Sequence, residues 1–364
     1  MAESAQKTPL YAAHVKLGAQ MREFAGWVLP IQYGAVLEEC RAVRSGVGLF
    51  DVSHMARFEV SGEDTPSFLH YMMTGDLAGL ALNHGCYTLL CQESGGIVDD
   101  LTAFRLEWDT YLLVGNAANA QKDYNWLTGH IGGWRAKVED QTPVTYMLAF
   151  QGPEAAAKLQ EVIPSLRLGG LASFDISQTL VGDCSVLVSR IGYTGEDGFG
   201  LIGPAEDAER IWELLLKTGA RPCGLEARDI LRLEASLPLY GKDIDSTTNP
   251  FEAGLDWVVD LRKEDFHGKA ALAAIKEAGP SRKLVPFEMV GRGVPHQGYP
   301  VKKGRKVVGT VTSGGYSPTL DVHLGLAYVP VPLAAPGTDI NIVVRGKPVA
   351  AKVVAKPFYE PSKT

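Results

Sequence analysis

Residues 281–318 read SRKLVPFEMVGRGVPHQGYPVKKGRKVVGTVTSGGYSP and mark a change in the pattern of the chain. From Ser281 onward, short stretches that alternate apolar and polar residues are separated by Gly and Pro, and no helical periodicity remains. This pattern is typical of half-buried strands joined by turns. The sequence therefore predicts a separate all-β C-terminal domain with strands at 283–289, 306–312, 324–329, 339–344 and 348–354.

The chain upstream of this region mixes patterns typical of strands and of helices. Alternating residues predict strands at 56–61, 87–91, 97–106 and 110–114. Apolar residues at helical spacing predict helices at 116–128, 204–219, 225–236 and 268–278. Domain boundaries before residue 281 are not sharp in the sequence.

Length and composition restrict the class of protein. The 364 residues make two or three domains at about 150 residues each, and 46% hydrophobic with 21% charged residues excludes a largely disordered chain. The net charge of −7 argues against non-specific nucleic-acid binding, which depends on Lys and Arg at phosphates. No apolar stretch is long enough for a transmembrane helix and no signal peptide is visible, so a cytoplasmic protein is expected.

The cysteine pattern and the absence of several short motifs limit the kinds of reaction that the protein could catalyse. The five cysteines include no CxxC, so neither a disulfide framework nor a metal site is expected. Buried thiols are the main expectation, and a nucleophilic Cys86 near His84 is the alternative. The chain also lacks GxxxxGK[ST], GxSxG, HExxH and a GxGxxG after a strand. Any chemistry must therefore use carboxylates, Arg, Tyr and a bound organic cofactor. A protein without enzymatic activity is also consistent with these observations.

The segment Gly95-Gly96-Ile97-Val98-Asp99-Asp100 places two carboxylates near the start of a strand, after a Gly-Gly turn. Neighbouring strand residues point to opposite faces, so only one of the two Asp side chains can enter a given pocket. A turn followed by an exposed acidic pair is one interpretation. A general acid, a general base or a hydrogen-bond acceptor is the other.

Three further segments carry residues that suit ligand binding. Residues 192–198 (GYTGEDG) predict a tight loop in which the ring of Tyr193 suits a flat heterocycle, and a plain hairpin is the alternative. The helix 225–236 carries Arg228 and Arg232 one turn apart, and its charges suit intrahelical ion pairs. The alternative is that the Arg at the start of the helix faces a ligand carboxylate or a pterin. In FDVSHM (50–55), His54 is either structural or a ligand residue, and Met55 is either a core residue or an apolar wall.

Together, the segments resemble the T protein of the glycine cleavage system, the tetrahydrofolate-dependent aminomethyltransferase family. The resemblance covers nearly the whole chain, and it depends on the order and spacing of many short pieces. In chain order they are TPLY from Thr8, FAGW with LP and QY from Phe24, FDVSHM from Phe50, GGIVDDL from Gly95, GNA from Gly115, LAFQGP from Leu148, GYTGEDGF from Gly192, RDILRLEASLPLYG with DID from Arg228, and GTVTSGGYSP from Gly309.

The resemblance implies an α+β fold of three domains around a central folate channel. Two mixed α+β domains would each be discontinuous in sequence. Residues 1–50 with 141–245 would form the first of them, and residues 51–140 with 246–280 would form the second. Residues 281–364 would form the C-terminal all-β barrel, in agreement with the change of pattern at Ser281.

The resemblance also implies an enzyme. In the family, a lipoyl-bearing H protein delivers an aminomethyl group on sulfur, ammonia leaves, and tetrahydrofolate takes the one-carbon unit as 5,10-methylenetetrahydrofolate. Tetrahydrofolate is the nucleophile that the protein positions, so no metal is implied. The family is commonly monomeric, and no nucleic-acid or membrane partner is expected. The alternatives are a related folate-dependent enzyme with another one-carbon donor, such as a demethylase, or a folate-binding protein without turnover.

The same resemblance assigns roles to individual residues. Asp100 would orient the folate amine on the N10 side and stabilise the positive charge that develops there. The residues expected to contact or line the folate pocket are Met55, Tyr87, Asn116, Tyr193, Arg228 and Trp257, with Tyr359 in a tail segment that aligns more loosely.

One position departs from the family pattern. The family usually reads GYTGEDGFE, where the last Glu hydrogen-bonds the pterin, and this chain has Gly200 there. A charge-assisted hydrogen bond contributes about 1.5–3 kcal/mol, so its loss predicts folate binding weaker by about one or two powers of ten. Glu196, on the same loop, is a candidate substitute.

Overall fold

The computed structural model of the protein describes residues 5–361. Residues 1–4 and 362–364, the outer ends of the first and third predicted domains, lie outside the described residues. The chain divides into two compact units. The first unit comprises the residues up to His70 with Asp76–Thr88 and Leu101–Arg228. The second unit comprises Tyr71–Gly75, Leu89–Asp100 and the residues from Asp229 onward.

The described chain contains helices of four to eleven residues. In chain order they are α1 (Tyr11–Lys16), α2 (Val36–Ser45), α3 (Thr65–Met72), α4 (Ala120–His130), α5 (Ala155–Val162), α6 (Ala208–Lys217), α7 (Leu225–Glu234), α8 (Pro250–Ala253) and α9 (Lys269–Ala278). Helix α6 buries Ile211, Trp212 and Leu215, as the predicted amphipathic pattern requires. It begins later than the predicted residue 204 because a 3₁₀ turn, Ala205–Asp207, precedes it.

The strands upstream of the barrel form three sheets. They are β1 (Gln6–Lys7), β2 (Gln20–Phe24), β3 (Trp27–Gln32), β4 (Gly48–Asp51), β5 (Ala56–Ser61), β6 (His84–Cys91), β7 (Ile97–Glu107), β8 (Thr110–Gly115), β9 (Lys137–Asp140), β10 (Thr145–Gln151), β11 (Ile176–Val181), β12 (Cys184–Ser189), β13 (Gly198–Pro204) and β14 (Arg221–Pro222). Their orders are β1-β3-β2, β11-β12-β13-β10-β4-β14 and β6-β7-β8-β5-β9. The chain passes between the two units within β6 and again within β7.

The six-stranded and five-stranded sheets are joined by two neighbouring connections in the first unit. Residues 52–55 lead from β4 to β5, and residues 141–144 lead from β9 to β10. Strand β4 pairs with β10 (Asp51 with Leu148), and β5 pairs with β9 (Phe58 with Asp140). Because both ends of both connections belong to paired strands, the two connections run beside each other.

The six-stranded sheet has an apolar core on each face. On one face, Leu49, Phe150 and Leu201 pack in a buried cluster with Trp212 of α6. On the other face, Ile202 packs in a second cluster with residues of the five-stranded sheet. Each fully buried aliphatic or aromatic side chain stabilises the fold by about 1.5–3 kcal/mol. The second cluster, which we call the inter-sheet cluster, contains Phe104, Leu112, Val114, Ile176 and Ile202, with Met55, Leu106, Met147, Leu187 and Ile191 packed against it.

The C-terminal strands close into a barrel in the second unit. They are β15 (Arg282–Met289), β16 (Pro300–Lys303), β17 (Lys306–Ser317), β18 (Val322–Pro330), β19 (Asp339–Val344) and β20 (Lys347–Val353), in the order β15-β18-β17-β16-β19-β20. Five of them match predicted strands, and β16 was not predicted because its four residues, Pro-Val-Lys-Lys, are too short to show alternation. Alternate residues such as Phe287, Val311 and Ile342 fill the interior.

The expected fold class, mixed α+β sheets followed by a C-terminal β-barrel, is confirmed. The boundaries of the three predicted domains stay a prediction. Within the described residues, no helix has the length and apolar character needed to cross a membrane.

Candidate active site

The start of β7 is held in place by backbone contacts within the second unit. Gly95 has φ +84°, and a Cβ on Gly96 would come within 2.2 Å of the carbonyl oxygen of Ser246, so the turn requires glycine at both positions. The N–H of Ile97 donates to the carbonyl of Thr248 at 3.0 Å. The hydroxyl of Tyr240 donates to the carbonyl of Ile97 at 3.1 Å. The strand that carries Asp99 and Asp100 therefore begins at a fixed point.

Asp99 and Asp100 differ in exposure, as the alternation along a strand predicts. Asp99 is fully buried, whereas Asp100 is half-buried. The two carboxylates thus point to opposite faces of β7. Of the pair, Asp100 is the one with solvent access, and it is the residue to which the family resemblance assigned the chemistry.

The loop between β12 and β13, residues 190–197, is held by side chains on both sides. Arg190 makes a two-pronged ion pair with Asp197 at 2.9 and 2.8 Å. From α2, Arg44 donates to the carbonyl of Thr194 at 2.8 Å and to the carboxylate of Glu196 at 2.9 Å. Both members of the Arg44–Glu196 pair are buried, with side-chain exposures of 8% and 3%. The carboxylate of Glu196 is thus already engaged in shaping the loop.

The loop presents Tyr193 to the first turn of α7. The Arg228 guanidinium lies 4.4 Å from the centre of the Tyr193 ring, a cation–π distance. Stacking on an aromatic face fixes the plane of a guanidinium and keeps its N–H groups pointing outward along the edge. Two residues that the sequence assigned to one pocket are therefore brought together in the first unit.

The turn between β4 and β5 is anchored at its start by Asp51. Although burial alone would raise the pKa of Asp51, hydrogen bonds from His14, Ser53 and Thr8 lower it. The His14 ring lies 2.8 Å from the carboxylate, and the Thr8 hydroxyl donates to it at 2.7 Å. The turn itself closes with a bond from the N–H of Met55 to the carbonyl of Val52 at 3.0 Å.

His54, at the centre of this turn, is buried and neutral. Burial, reinforced by the positive charges of Arg228 and Arg57, lowers the pKa of His54 to about 3, and Asp51 only partly opposes this. The ring packs edge-on against Phe24. No hydrogen-bond partner for its Nδ1 exists among residues 5–361. His54 therefore lies near Arg228 without adding charge to that region.

Met55 and Gly200 lie beside the inter-sheet cluster. Met55 packs against that cluster together with Met147 and Ile191. A Cβ on Gly200 would meet the Ser189 hydroxyl at 2.8 Å, Ile191 at 3.4 Å and Met147 at 3.9 Å.

Strand pairing places Asn116, directly after β8, beside Met55. Ala56 pairs with Gly115, which brings Met55 and Asn116, the residues next to that pair, to neighbouring strand ends. The first unit thus contains both an apolar surface and an Arg–Tyr stack. Such a surface suits a flat, partly polar heterocycle.

Comparison with known proteins adds the family. Residues 10–263 match the GCVT N-terminal domain, and residues 282–360 match the glycine cleavage T-protein C-terminal barrel domain. The chain belongs to the glycine cleavage T-protein family. The first match spans the six-stranded and five-stranded sheets, and the second contains the six-stranded barrel.

Individual T-protein relatives match over almost their full length. An aminomethyltransferase from Symbiobacterium thermophilum is 48% identical, with 99% of this chain and 98% of that protein covered. One from Thermotoga neapolitana is 45% identical, with 98% of each covered. The crystal structure of the glycine cleavage system aminomethyltransferase T from Bartonella henselae superposes with a TM-score of 0.93 at 36% identity, covering 98% of this chain and 99% of that one.

The remaining T-protein residues singled out in the sequence are distributed over both units. Tyr87 is half-buried on β6 in the first unit. In the second unit, Trp257 lies in a 3₁₀ turn, Asp256–Val258, and is 67% exposed. Tyr359 is half-buried, and its N–H donates to the carbonyl of Glu234 at 2.9 Å. Their roles toward a ligand stay predictions.

The structure shows the surroundings of the five cysteines and the arrangement of the side chains that could bind a metal ion. All five thiols are free, and only Cys86 among them is not buried. His84 pairs through Nδ1 with Asp175 at 2.7 Å, an acidic partner that the sequence did not indicate. Within residues 5–361, no group of three or more His, Cys, Asp or Glu side chains is arranged to hold a metal ion.

Sequence reasoning missed two buried arginines of the first unit. Arg44 holds the 190–197 loop, and Arg57 is fully buried beside the turn that carries His54 and Met55. Neither has a signal in a single sequence, because an Arg on a helix or strand is ordinarily exposed.

Proposed function

We propose that the protein transfers the one-carbon unit of an aminomethyl-loaded, lipoyl-bearing H protein to tetrahydrofolate, releases ammonia and forms 5,10-methylenetetrahydrofolate. The chain is an enzyme of the aminomethyltransferase class, and the observation that carries this is its match to such enzymes over 98% or more of its length. The match includes the barrel, so it extends beyond a shared N-terminal fold.

The first-unit residues fit a folate. The Arg228–Tyr193 stack offers an aromatic face and a fixed set of N–H donors, which suits a pterin ring with carbonyl and ring-nitrogen acceptors. Met55 adds an adaptable apolar surface, and Asn116 adds an amide that both donates and accepts. When bound, tetrahydrofolate supplies the amine that takes up the one-carbon unit. Tyr87, Trp257 and Tyr359 are proposed as further contacts.

Asp100 is proposed as the residue that acts on the reacting amine. Its half-buried carboxylate lies on a strand whose start is fixed by backbone bonds, so its position is set before a ligand arrives. A carboxylate held in this way orients an N–H group, stabilises developing positive charge and can accept a proton. Asp99 cannot share this role from the opposite, fully buried face.

Membership of the family leads us to expect a particular partner, oligomeric state and cellular location. We expect the H protein to be the macromolecular partner, the protein to act as a monomer in the cytoplasm, and neither nucleic acid nor a membrane to be involved. Each of these stays a prediction.

The test is formation of 5,10-methylenetetrahydrofolate from tetrahydrofolate and aminomethyl-loaded H protein, measured on this protein and on Gly200→Glu. Turnover by the unaltered protein supports the proposal. Activity that appears only in Gly200→Glu means that the pocket lacks a pterin anchor. No product from either variant, with turnover of methylated amines or thioethers, supports the related enzyme with another donor. Folate binding without any turnover supports a binding protein.

A further inference from the structure

Arg57 has a set of partners that is unusual for a buried arginine. Its side chain is 0% exposed, and each of its hydrogen bonds goes to a carbonyl or a hydroxyl oxygen. Nε donates to the Thr145 hydroxyl at 2.7 Å. Nη1 donates to the carbonyls of Ser53 at 3.1 Å and Met55 at 2.5 Å. Nη2 donates to the carbonyls of Ser53 at 3.1 Å, Thr142 at 2.9 Å and Thr145 at 3.1 Å.

These acceptors belong to the two connections between the sheets. Ser53 and Met55 lie in the connection from β4 to β5, and Thr142 and Thr145 lie in or directly after the connection from β9 to β10. One planar guanidinium thus binds both connections at once. Its five N–H donors have a fixed geometry, so the two backbones are held at a defined separation.

Burying a charged side chain costs free energy of desolvation, which favours a role for Arg57 in positioning the backbone. Burial lowers the pKa of Arg57 to about 10, yet the group stays charged at neutral pH. Asp51 and Asp140 act on it only through space, without a hydrogen bond to the guanidinium within the described chain. Taking a charge out of water carries a desolvation cost, and no carboxylate bonded to Arg57 within residues 5–361 offsets it, so stability alone is a poor reason for Arg here.

The ligand residues of the first unit come from both sides of this junction. Met55 lies in one of the two bound connections, and its own carbonyl accepts from Arg57. Asn116 follows β8 of the five-stranded sheet, and Gly200 belongs to β13 of the six-stranded sheet. A change in the angle between the sheets would therefore move these residues relative to one another.

We propose that Arg57 is a positioning residue for folate: it fixes the two inter-sheet connections and so sets where Met55 lies relative to the rest of the first-unit pocket. The proposal rests on the proposed function, because it takes tetrahydrofolate as the ligand. Arg57 itself need not touch the ligand.

The test compares Arg57→Lys with Arg105→Lys. A lysine keeps the charge but has one nitrogen, which cannot reach both connections. Arg105 is a matched control because it also donates to carbonyls alone, those of Ala78, Leu80 and Trp108, in the same unit. Calorimetric titration with tetrahydrofolate should show a dissociation constant about tenfold higher for Arg57→Lys and within about twofold of the parent for Arg105→Lys.

A double-mutant cycle separates positioning from general stability. If Arg57 acts through Met55, the effects of Arg57→Lys and Met55→Ala on the dissociation constant are not additive, whereas Arg105→Lys and Met55→Ala add. A lower Tm for Arg57→Lys with an unchanged dissociation constant overturns the proposal, and so does additivity in the first cycle.

A second variant covers the case in which Arg57→Lys does not fold, and binding by the parent protein tests the proposed function separately. If Arg57→Lys does not fold, Thr145→Val removes one acceptor and leaves the guanidinium in place, and the dissociation constant should rise about threefold. An unchanged constant in that variant also contradicts the proposal. If the parent protein itself does not bind tetrahydrofolate, the proposed function fails, and that result is distinct from any failure of the Arg57 variants.

Discussion

The start of β7 and the 190–197 loop are both held firmly, but they present different chemistry. At β7, backbone bonds from Ile97 and a glycine turn fix a strand whose accessible side chain is a carboxylate, Asp100. At the loop, ion pairs through Arg190 and Arg44 fix a Tyr ring under a guanidinium. The first region suits action on a reacting amine, and the second suits recognition of a flat ring. Variants of the two regions should therefore change different kinetic constants.

The largest effect is expected at Asp100. Asp100→Asn keeps the shape of the side chain and removes its charge and its basicity, so kcat should fall by about a thousandfold with little change in KM for tetrahydrofolate. Steady-state formation of 5,10-methylenetetrahydrofolate measures both constants. Asp99→Asn is the matched control: it should lower Tm and leave kcat within about tenfold of the parent, because that carboxylate is buried on the other face. Near-normal turnover of Asp100→Asn would remove Asp100 from the mechanism.

The next effect is expected at Arg228. Arg228→Lys replaces a planar, stacked group with a point charge, so KM for tetrahydrofolate should rise about thirtyfold while kcat changes less. Arg41→Lys, on the exposed side of α2, serves as the control and should leave both constants unchanged. A fall in kcat alone would place Arg228 with the catalytic region and weaken the comparison.

A smaller effect, of opposite sign, is expected at Gly200. Gly200→Glu supplies a carboxylate on the face of β13 that borders Met147 and Ile191, and tetrahydrofolate should bind about tenfold more tightly. The new Cβ would lie close to the Ser189 hydroxyl, so the double variant Ser189→Ala/Gly200→Glu tests whether space limits the gain. Equal affinity in parent and double variant means that another group already anchors the pterin.

The smallest effect on the ligand is expected at Glu196. Glu196→Gln breaks the buried ion pair with Arg44, so Tm should fall by a few degrees, while the dissociation constant for tetrahydrofolate should stay within about twofold. Thermal unfolding and titration on the same sample provide both values. A large loss of affinity without a loss of stability would identify Glu196 as the substitute anchor that the sequence suggested.

Features with a local period could be predicted from the sequence. Five barrel strands and the strand Ala56–Ser61 follow alternation, and α6 follows helical spacing. The different burial of Asp99 and Asp100 follows from the same alternation. The motifs at 192–198 and 224–234 also indicated Tyr193 and Arg228, which stack on each other in the first unit.

Features that depend on distant partners could not be predicted. Helix α2 was missed because it buries Glu39, whose carboxylate accepts N–H groups from Tyr33 and Gly224, far apart in sequence. Arg57 was missed for the same reason, since its acceptors come from residues 53–55 and 142–145. A single sequence does not show which distant segments will contact its buried polar groups.

The most direct test of the division between reaction and recognition is to measure kcat and KM for tetrahydrofolate on Asp100→Asn and Arg228→Lys side by side, with aminomethyl-loaded H protein as donor. The account predicts a fall in kcat for Asp100→Asn and a rise in KM for Arg228→Lys. The same constant changing in both variants, or no change in either, would contradict it.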